Sequence, residues 1–347
     1  MLTDRQLLIL RLIIQLYTET LEPVGSKKLM KAADLPYSSA TIRNEMMKLE
    51  ELGYLEKYHT SSGRVPSNKG YRFFLDYILP QEPAEILPQT KESIRSKLQN
   101  PMFEMQELFH MSADILATLT NYTCISVGPE LSSSRLVGFR LVRLSSTQVM
   151  AILVTDKEYV ENKVFSIPSQ VSEDDLERIV KIMNEELVGL PLSKVIDRLK
   201  KDIPLLMKKY IESQILIVNA INEMVNHFEK DRLHVAGKRH LLNYIDSHSD
   251  VEQLKDVYRL MEDSDILHQL VTTNTNGIQI RLGSEMNNPL LEEFSLITAC
   301  YDTPTNDKGV IALLGPVNMP YQKVISIVDS LRQELSLSMN QYYERQR

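Results

Sequence analysis

Apolar positions recur at helical spacing from the start of the chain. Thr3 with Gln6 forms a capping-box pattern, and Leu7, Leu10, Ile14 and Tyr17 then predict the buried stripe of a first helix ending near Thr20. Glu22 to Gly25 reads as a connection. Ser26 opens a short second helix through Ala33, and Pro36 in the segment DLPYS forbids its continuation. A third helix begins at Ser38 or Ser39, with Ile42, Met46 and Leu49 on one face, and Gly53 stops it. Tyr54 to Lys57 is short enough for a strand. Ser61, Ser62 and Gly63 supply the turn of a hairpin that returns through Arg64 and Val65, and a closing helix from Asn68 or Lys69 turns Tyr71, Phe74, Leu75 and Ile78 inward.

The pattern then changes. Pro80, Pro83 and Pro88 mark residues 80–90 as a linker. Beyond it come a helix over Phe103 to Leu119, a buried strand over Thr123 to Val127, and three strands at Val137 to Leu144, Gln148 to Thr155 and Tyr159 to Ile167, for which antiparallel pairing is the economical arrangement. Ser172 and the acids that follow it open a helix with Leu176, Val180, Met183 and Leu187 as its stripe, closed by Gly189. From Leu205 to Arg232 the apolar arc is wider than one core face, with Ile211, Ile215, Val218 and Val225 flanked by Tyr210, Leu216, Ile217, Ile221 and Met224. Such an arc needs burial on two sides or a partner subunit, and periodicity does not separate these. Helices at His240 to Ser247 and Val251 to Met261 follow, then strands at Ile278 to Leu282, Ser295 to Tyr301 and Gly309 to Leu314. A last helix from Tyr321 turns Val324, Val328, Leu331 and Leu335 inward.

Charge sharpens the first segment. The 347 residues carry 39 Lys and Arg against 46 acids, a net of −7, yet residues 1–79 hold eleven basic and nine acidic side chains, a net of +2. From Lys57 to Arg72 there are four basic side chains and no carboxylate. One end is thus suited to a polyanion while the acidic remainder discourages non-specific adhesion. The face of the third helix opposite its apolar stripe carries Ala40, Thr41, Arg43, Asn44, Met47 and Lys48. Arginine and asparagine have the donor geometry for guanine and adenine edges, and helix followed by basic hairpin is the order of a winged helix-turn-helix. The candidate DNA-contacting residues are therefore Ser39, Ala40, Thr41, Arg43, Asn44, Met47 and Lys48 on the helix, with His59, Thr60, Ser61 and Arg64 on the hairpin, where Arg64 is expected on a phosphate. A solvated basic loop is the plainer alternative for the hairpin.

These residues lie in the motifs SSATIRNEM (Ser38 to Met46) and HTSSGRVPSNKGYRFFLDY (His59 to Tyr77), which resemble the HrcA family of heat-inducible transcription repressors. The resemblance continues through IRLGSEMNN (Ile280 to Asn288) and GVIALLGPVNMPYQKVISIVDSL (Gly309 to Leu331); the chain departs from the family pattern at Ser62 and Ser67. It implies an α+β multidomain protein. Residues 1–79 would form the winged helix-turn-helix, residues 91–131 with 241–347 a GAF-like α/β domain in two segments, and residues 132–240 an inserted α+β dimerising domain. It also implies a homodimer on double-stranded DNA, at an inverted-repeat operator called CIRCE upstream of chaperone operons, with activity maintained by the GroE chaperonin.

Other classes have less support. Cys124 and Cys300 show no zinc or disulfide spacing, which suits a reducing cytoplasm. No phosphate loop, dinucleotide fingerprint or nucleophile elbow occurs; VGSKK at Val24 to Lys28 fits a helix start. His227 and His234 lack a third ligand, so neither metal nor cofactor is expected. No apolar run is long enough for a membrane helix. Two rivals to the repressor reading are a sensor whose GAF-like domain binds a small molecule that sets DNA affinity, and an enzyme that uses the first domain for delivery.

Overall fold

The computed structural model describes residues 2–33, 35–57, 63–81, 86–100, 102–103, 105–129, 135–156, 160–201, 233–243, 251–272, 277–304 and 308–345. The chain forms two compact units. The first comprises Met1–Ser126, Val235–Tyr301 and Val310–Ser338; the second comprises Val127–His234, Asp302–Gly309 and Met339–Arg347.

In the first unit, α1 (Asp4–Thr20) begins with the expected reciprocal Thr3–Gln6 capping box. Its buried face differs from the expected stripe, consisting of Gln6, Ile9, Leu10, Ile13 and Ile14, with Leu7 and Tyr17 only partly covered. A polar pair explains the rotation. Gln6 Nε2 donates to Glu45 Oε2 at 3.0 Å, so a glutamine occupies the interior position that periodicity gave to leucine. Helices α2 (Ser26–Ala33) and α3 (Ser39–Glu51) follow, and then strands β1 (Leu55–Lys57) and β2 (Arg64–Pro66) pair antiparallel.

The end of α3 is fixed by two backbone bonds. Gly53 at φ 78° donates to the Glu50 carbonyl and Tyr54 donates to Leu49, both at 2.9 Å, which is the Schellman arrangement and requires the left-handed backbone glycine adopts readily. The hairpin is seated from the other side, where Val24 and Arg64 exchange backbone bonds at 2.9 and 3.0 Å. A Cβ on Gly63 would lie 2.6 Å from Pro23 Cβ, so only glycine allows that approach. Helix α4 (Asn68–Phe73) is capped by Ser67, whose hydroxyl accepts from Gly70 N–H at 3.0 Å and donates to the Gly53 carbonyl at 2.6 Å.

A π-helical turn, Phe74–Ile78, and a short 3-10 turn, Leu79–Gln81, continue α4. The expected linker is therefore partly helical, and Pro88 opens α5 (Pro88–Leu98), where its missing N–H costs nothing. Arg95 of α5 donates to Glu334 Oε2 at 3.2 Å. After α6 (Met105–Thr120) comes β3 (Thr123–Val127), an inner strand of a five-stranded sheet in the order β7-β3-β10-β9-β8. The others are β7 (Leu233–Ala236), β8 (Ile278–Leu282), β9 (Phe294–Asp302) and β10 (Lys308–Pro316), with β8 and β9 antiparallel. Strand β7 falls inside the 132–240 expected as an insertion, yet it is an edge of this sheet. Sequence periodicity also missed α5, β7 and α10 (Ser264–Val271), which follows α9 (Val251–Leu260) among the described residues between β7 and β8. The C-terminal helix α11 (Tyr321–Arg345) buries Val324, Val328, Leu331 and Leu335 as expected.

Residues 1–79 share the first compact unit with the five-stranded sheet. Arg72 of α4 donates from Nε to Glu285 Oε1 at 2.9 Å and from Nη2 to the Ile280 carbonyl at 3.0 Å, and Tyr71 packs against Tyr321 with ring centroids 6.1 Å apart. Both phenols are buried, which drives their pKa values well above the ordinary tyrosine range.

The second unit holds the antiparallel sheet β4 (Leu136–Arg143), β5 (Gln148–Thr155) and β6 (Val160–Ser166), as read from alternation. Helix α7 (Glu173–Leu187) is capped by Ser172, and α8 (Leu192–Lys201) follows. One sheet face, with Phe139, Val149, Ala151 and Leu153, packs on Leu176, Ile179, Met183 and Leu187. Asn184 pins the two layers by accepting from Phe139 N–H and donating to its carbonyl, each at 2.9 Å. The segment Leu205 to Arg232 and His227 lie outside the described residues.

Candidate nucleic-acid interface

Helix α3 divides cleanly by exposure. Ile42, Glu45, Met46 and Leu49 face inward, while Ala40, Arg43, Asn44, Met47 and Lys48 are exposed and Ser39 and Thr41 are half-buried. Its start is fixed by Ser38, whose Oγ accepts from Thr41 N–H at 3.1 Å and lies 2.9 Å from Thr41 Oγ1. The Thr41 N–H is thus already used by the cap. Glu45 is the one buried carboxylate on this helix. It accepts from Gln6, and its second oxygen lies 3.6 Å from Lys48 Nζ, which tethers the base of that lysine's reach.

The exposed face borders a groove of about 1000 Å³. Ser39, Ala40, Arg43 and Met47 line it from α3, Ser26 and Lys27 from the start of α2, and Lys57 and Arg64 from the hairpin. Ser26 and Ser39 hydroxyls lie 3.0 Å apart, joining the two helix starts. Ser26 and Lys27 were read only as a helix start. Their signal was there in a helix N-terminus followed by two lysines, an arrangement that favours an anion.

Arg64 is a correction. Its Nε and one terminal nitrogen each lie 2.7 Å from Glu50 Oε2, and the residue is 9% exposed, so the guanidinium braces the hairpin against α3 instead of projecting to a phosphate. Glu50 also holds Lys57 at 3.5 Å, but the lysine side chain is 62% exposed and keeps its reach. Asn44 and Lys48 sit on the exposed helix beside the groove. His59, Thr60 and Ser61 lie outside the described residues. The arrangement offers donors and cations to an anionic surface. Among the described residues, no cluster of three His, Cys, Asp or Glu side chains could hold a metal, and no helix is long and apolar enough to cross a membrane.

The family model of the HrcA protein C terminal domain matches residues 106–325. The heat-inducible transcription repressor HrcA of Enterococcus faecalis (strain ATCC 700802 / V583) is 46% identical over 346 residues, covering 99% of each chain. The chain belongs to the HrcA family. HrcA of Tetragenococcus halophilus is 44% identical over 343 residues, covering 99% of this chain and 98% of its own. A solved structure described as a hypothetical protein at 2.2 Å resolution matches with a TM-score of 0.67 and 25% identity, covering 99% of this chain and 100% of that one. Both HrcA motifs quoted from the first 79 residues fall outside the matched 106–325, so α3 and its hairpin enter the family through the full-length relatives.

Proposed function

We propose that this chain is a homodimeric, sequence-specific repressor of chaperone operons in the cytoplasm, binding the inverted-repeat CIRCE operator with its activity maintained by the GroE chaperonin. In this reading α1 to α4 with the β1–β2 hairpin are a winged helix-turn-helix, the five-stranded sheet with its helices is a GAF-like domain, and the second unit is the inserted dimerising domain. The observation that carries it is the exposed face of α3, where Arg43, Asn44, Met47 and Lys48 stand beside a groove with Lys27 and Lys57 on its walls. Base-reading donors on a helix and cations on flanking elements are the two components of groove recognition. Two-fold symmetry then presents two reading helices to two half-sites. The fine assignment of operator and chaperonin rests on family membership.

A gel shift tests it. A duplex carrying the inverted repeat should be retarded without additive, and a scrambled duplex of equal length should need much more protein. Equal retardation of both, or cleavage of either, overturns the proposal.

A further inference from the structure

The groove beside α3 follows one flank of that helix. Arg43 and Glu50, seven residues apart, line it, while Thr41, Glu45 and Lys48, at spacings of four and three, fall on the opposite flank and outside its lining. An α-helix with its side chains is about 10 to 12 Å across and the major groove about 12 Å wide, so a helix lying in that groove has a phosphate wall along each flank. Lys27 and Lys57 stand on the groove side. The second wall needs a cation of its own.

The start of α1 is fastened to that second flank. Gln6 accepts from Thr3 N–H through Oε1 and donates through Nε2 to Glu45 Oε2, each at 3.0 Å, so one glutamine closes the cap of α1 and joins it to α3. The neighbouring Arg5 lies with its guanidinium over the Tyr37 ring, 5.1 Å from the centroid, and Tyr37 immediately precedes Ser38, the cap of α3. Arg5 Nη1 is also 3.9 Å from Glu45 Oε1, longer than a hydrogen bond, and its side chain is 43% exposed. Ring and carboxylate thus hold the cation in place without taking a hydrogen bond from it. The same Glu45 oxygen lies 3.6 Å from Lys48 Nζ, so one buried carboxylate steadies two exposed cations on this flank.

We propose that Arg5, from the first turn of α1, contacts a DNA phosphate on the strand across the major groove from the one met by Lys27, with Tyr37 positioning its guanidinium. The inference rests on the reading of α3 as the recognition helix. A planar fork of N–H donors suits a phosphate, and a phosphate contact fixes the register of the helix in its groove without reading sequence. Arg43 and Asn44 would then read bases between two anchored walls.

The test titrates the full chain against the inverted-repeat duplex and a scrambled one over a range of salt, with circular dichroism confirming that each variant folds. Arg5→Ala should weaken both duplexes about tenfold, the loss of one hydrogen bond to a charged group, and lower the salt slope by about one unit for each half-site occupied. Arg5→Lys, which keeps the charge, should retain the slope. Tyr37→Ala should weaken both duplexes about threefold, and Tyr37→Phe, which keeps the ring, should restore wild-type binding. Ethylation interference should lose one phosphate per half-site in Arg5→Ala, on the opposite strand from the phosphate lost in Lys27→Ala. A wild-type slope and footprint in Arg5→Ala, while wild type still prefers the inverted repeat, would overturn the Arg5 contact and leave the repressor reading standing. Wild-type protein that binds both duplexes equally would overturn both. Tyr37→Phe binding as weakly as Tyr37→Ala would remove the ring from the positioning of Arg5.

Discussion

Arg72 and Glu285, 213 residues apart in sequence, are hydrogen-bonded through Arg72 Nε and Glu285 Oε1 at 2.9 Å. The first lies in the motif GYRFFLDY and the second in IRLGSEMNN. Glu285 is itself held in place, because Oε2 accepts from Leu282 N–H at 2.9 Å. Burial alone would lower the Arg72 pKa, but the bond and charge of Glu285, with Asp76, hold it above the ordinary arginine value. The pair explains why α4 and its π-turn belong to the same compact unit as the five-stranded sheet.

A double-mutant cycle with Arg72→Ala and Glu285→Ala measures this link. The side chains are 29% and 40% exposed, so solvent screening reduces the coupling, and about 1 kcal/mol is expected. Thermal melts of the four proteins should show it. Additive single effects would leave the contact without an energetic role.

Arg43→Ala and Asn44→Ala should relax base preference. Each lost base contact should cost about 1 to 3 kcal/mol on the cognate duplex and far less on a scrambled one. The ratio of the two affinities is the readout, and a wild-type ratio in both variants would show that another face of α3 reads the bases.

Arg64 and Lys57 should now behave oppositely. Arg64→Ala strips Glu50 of its 2.7 Å partner inside the domain and should lower stability by about 2 kcal/mol while leaving the salt slope of DNA binding unchanged. Lys57→Ala removes an exposed cation and should lower that slope by roughly one unit with little effect on melting. A reduced slope for Arg64→Ala would show that the guanidinium leaves Glu50 when DNA arrives.

This reversal marks the limit of local reading. A run of basic residues identifies a hairpin suited to phosphate, but Glu50, fourteen positions earlier, decides which cation is spent inside the fold. The same applies to α1, where Glu45 draws Gln6 inward and rotates the stripe that leucines alone suggested. The capping box at Thr3, the helix start at Ser172, the Gly53 stop and the antiparallel strands β4 to β6 were legible because each depends on neighbours in sequence. The four-residue β7 was not, since it is a strand only by virtue of its place in the sheet beside β3.

Acid should erode one cap in the second unit. Hydrogen bonds from the Ser172 hydroxyl and backbone hold the Asp175 carboxylate below the ordinary aspartate value of 3.8. A pKa lowered by folding contributes stability that is present above 3.8 and lost as pH falls through the folded value. Ser172→Ala should therefore cost about 1 kcal/mol near pH 7, and its gap from wild type should narrow towards about pH 3. Melting curves at the two pH values decide it, and a constant gap would assign the whole cap to the Asp175 N–H.

Operator binding should need the second unit even though no base-reading residue lies there. A single α3 offers one half-site of contacts, while a dimer makes the second contact intramolecular at a high effective concentration, worth about 10²-fold or more in affinity. The apolar arc between Leu205 and Arg232 is the segment whose sequence calls for a partner, since its flanks carry Leu216, Ile217 and Ile221 as well as the core stripe. A carboxylate within it opposes burial, so Ile217→Asp should shift the sedimenting species from dimer to monomer and weaken binding to the palindrome by about the same 10²-fold. Binding to a single half-site should stay at the wild-type level, which separates loss of dimerisation from loss of folding. A folded monomer that still binds the full palindrome at wild-type strength would remove dimerisation from the mechanism.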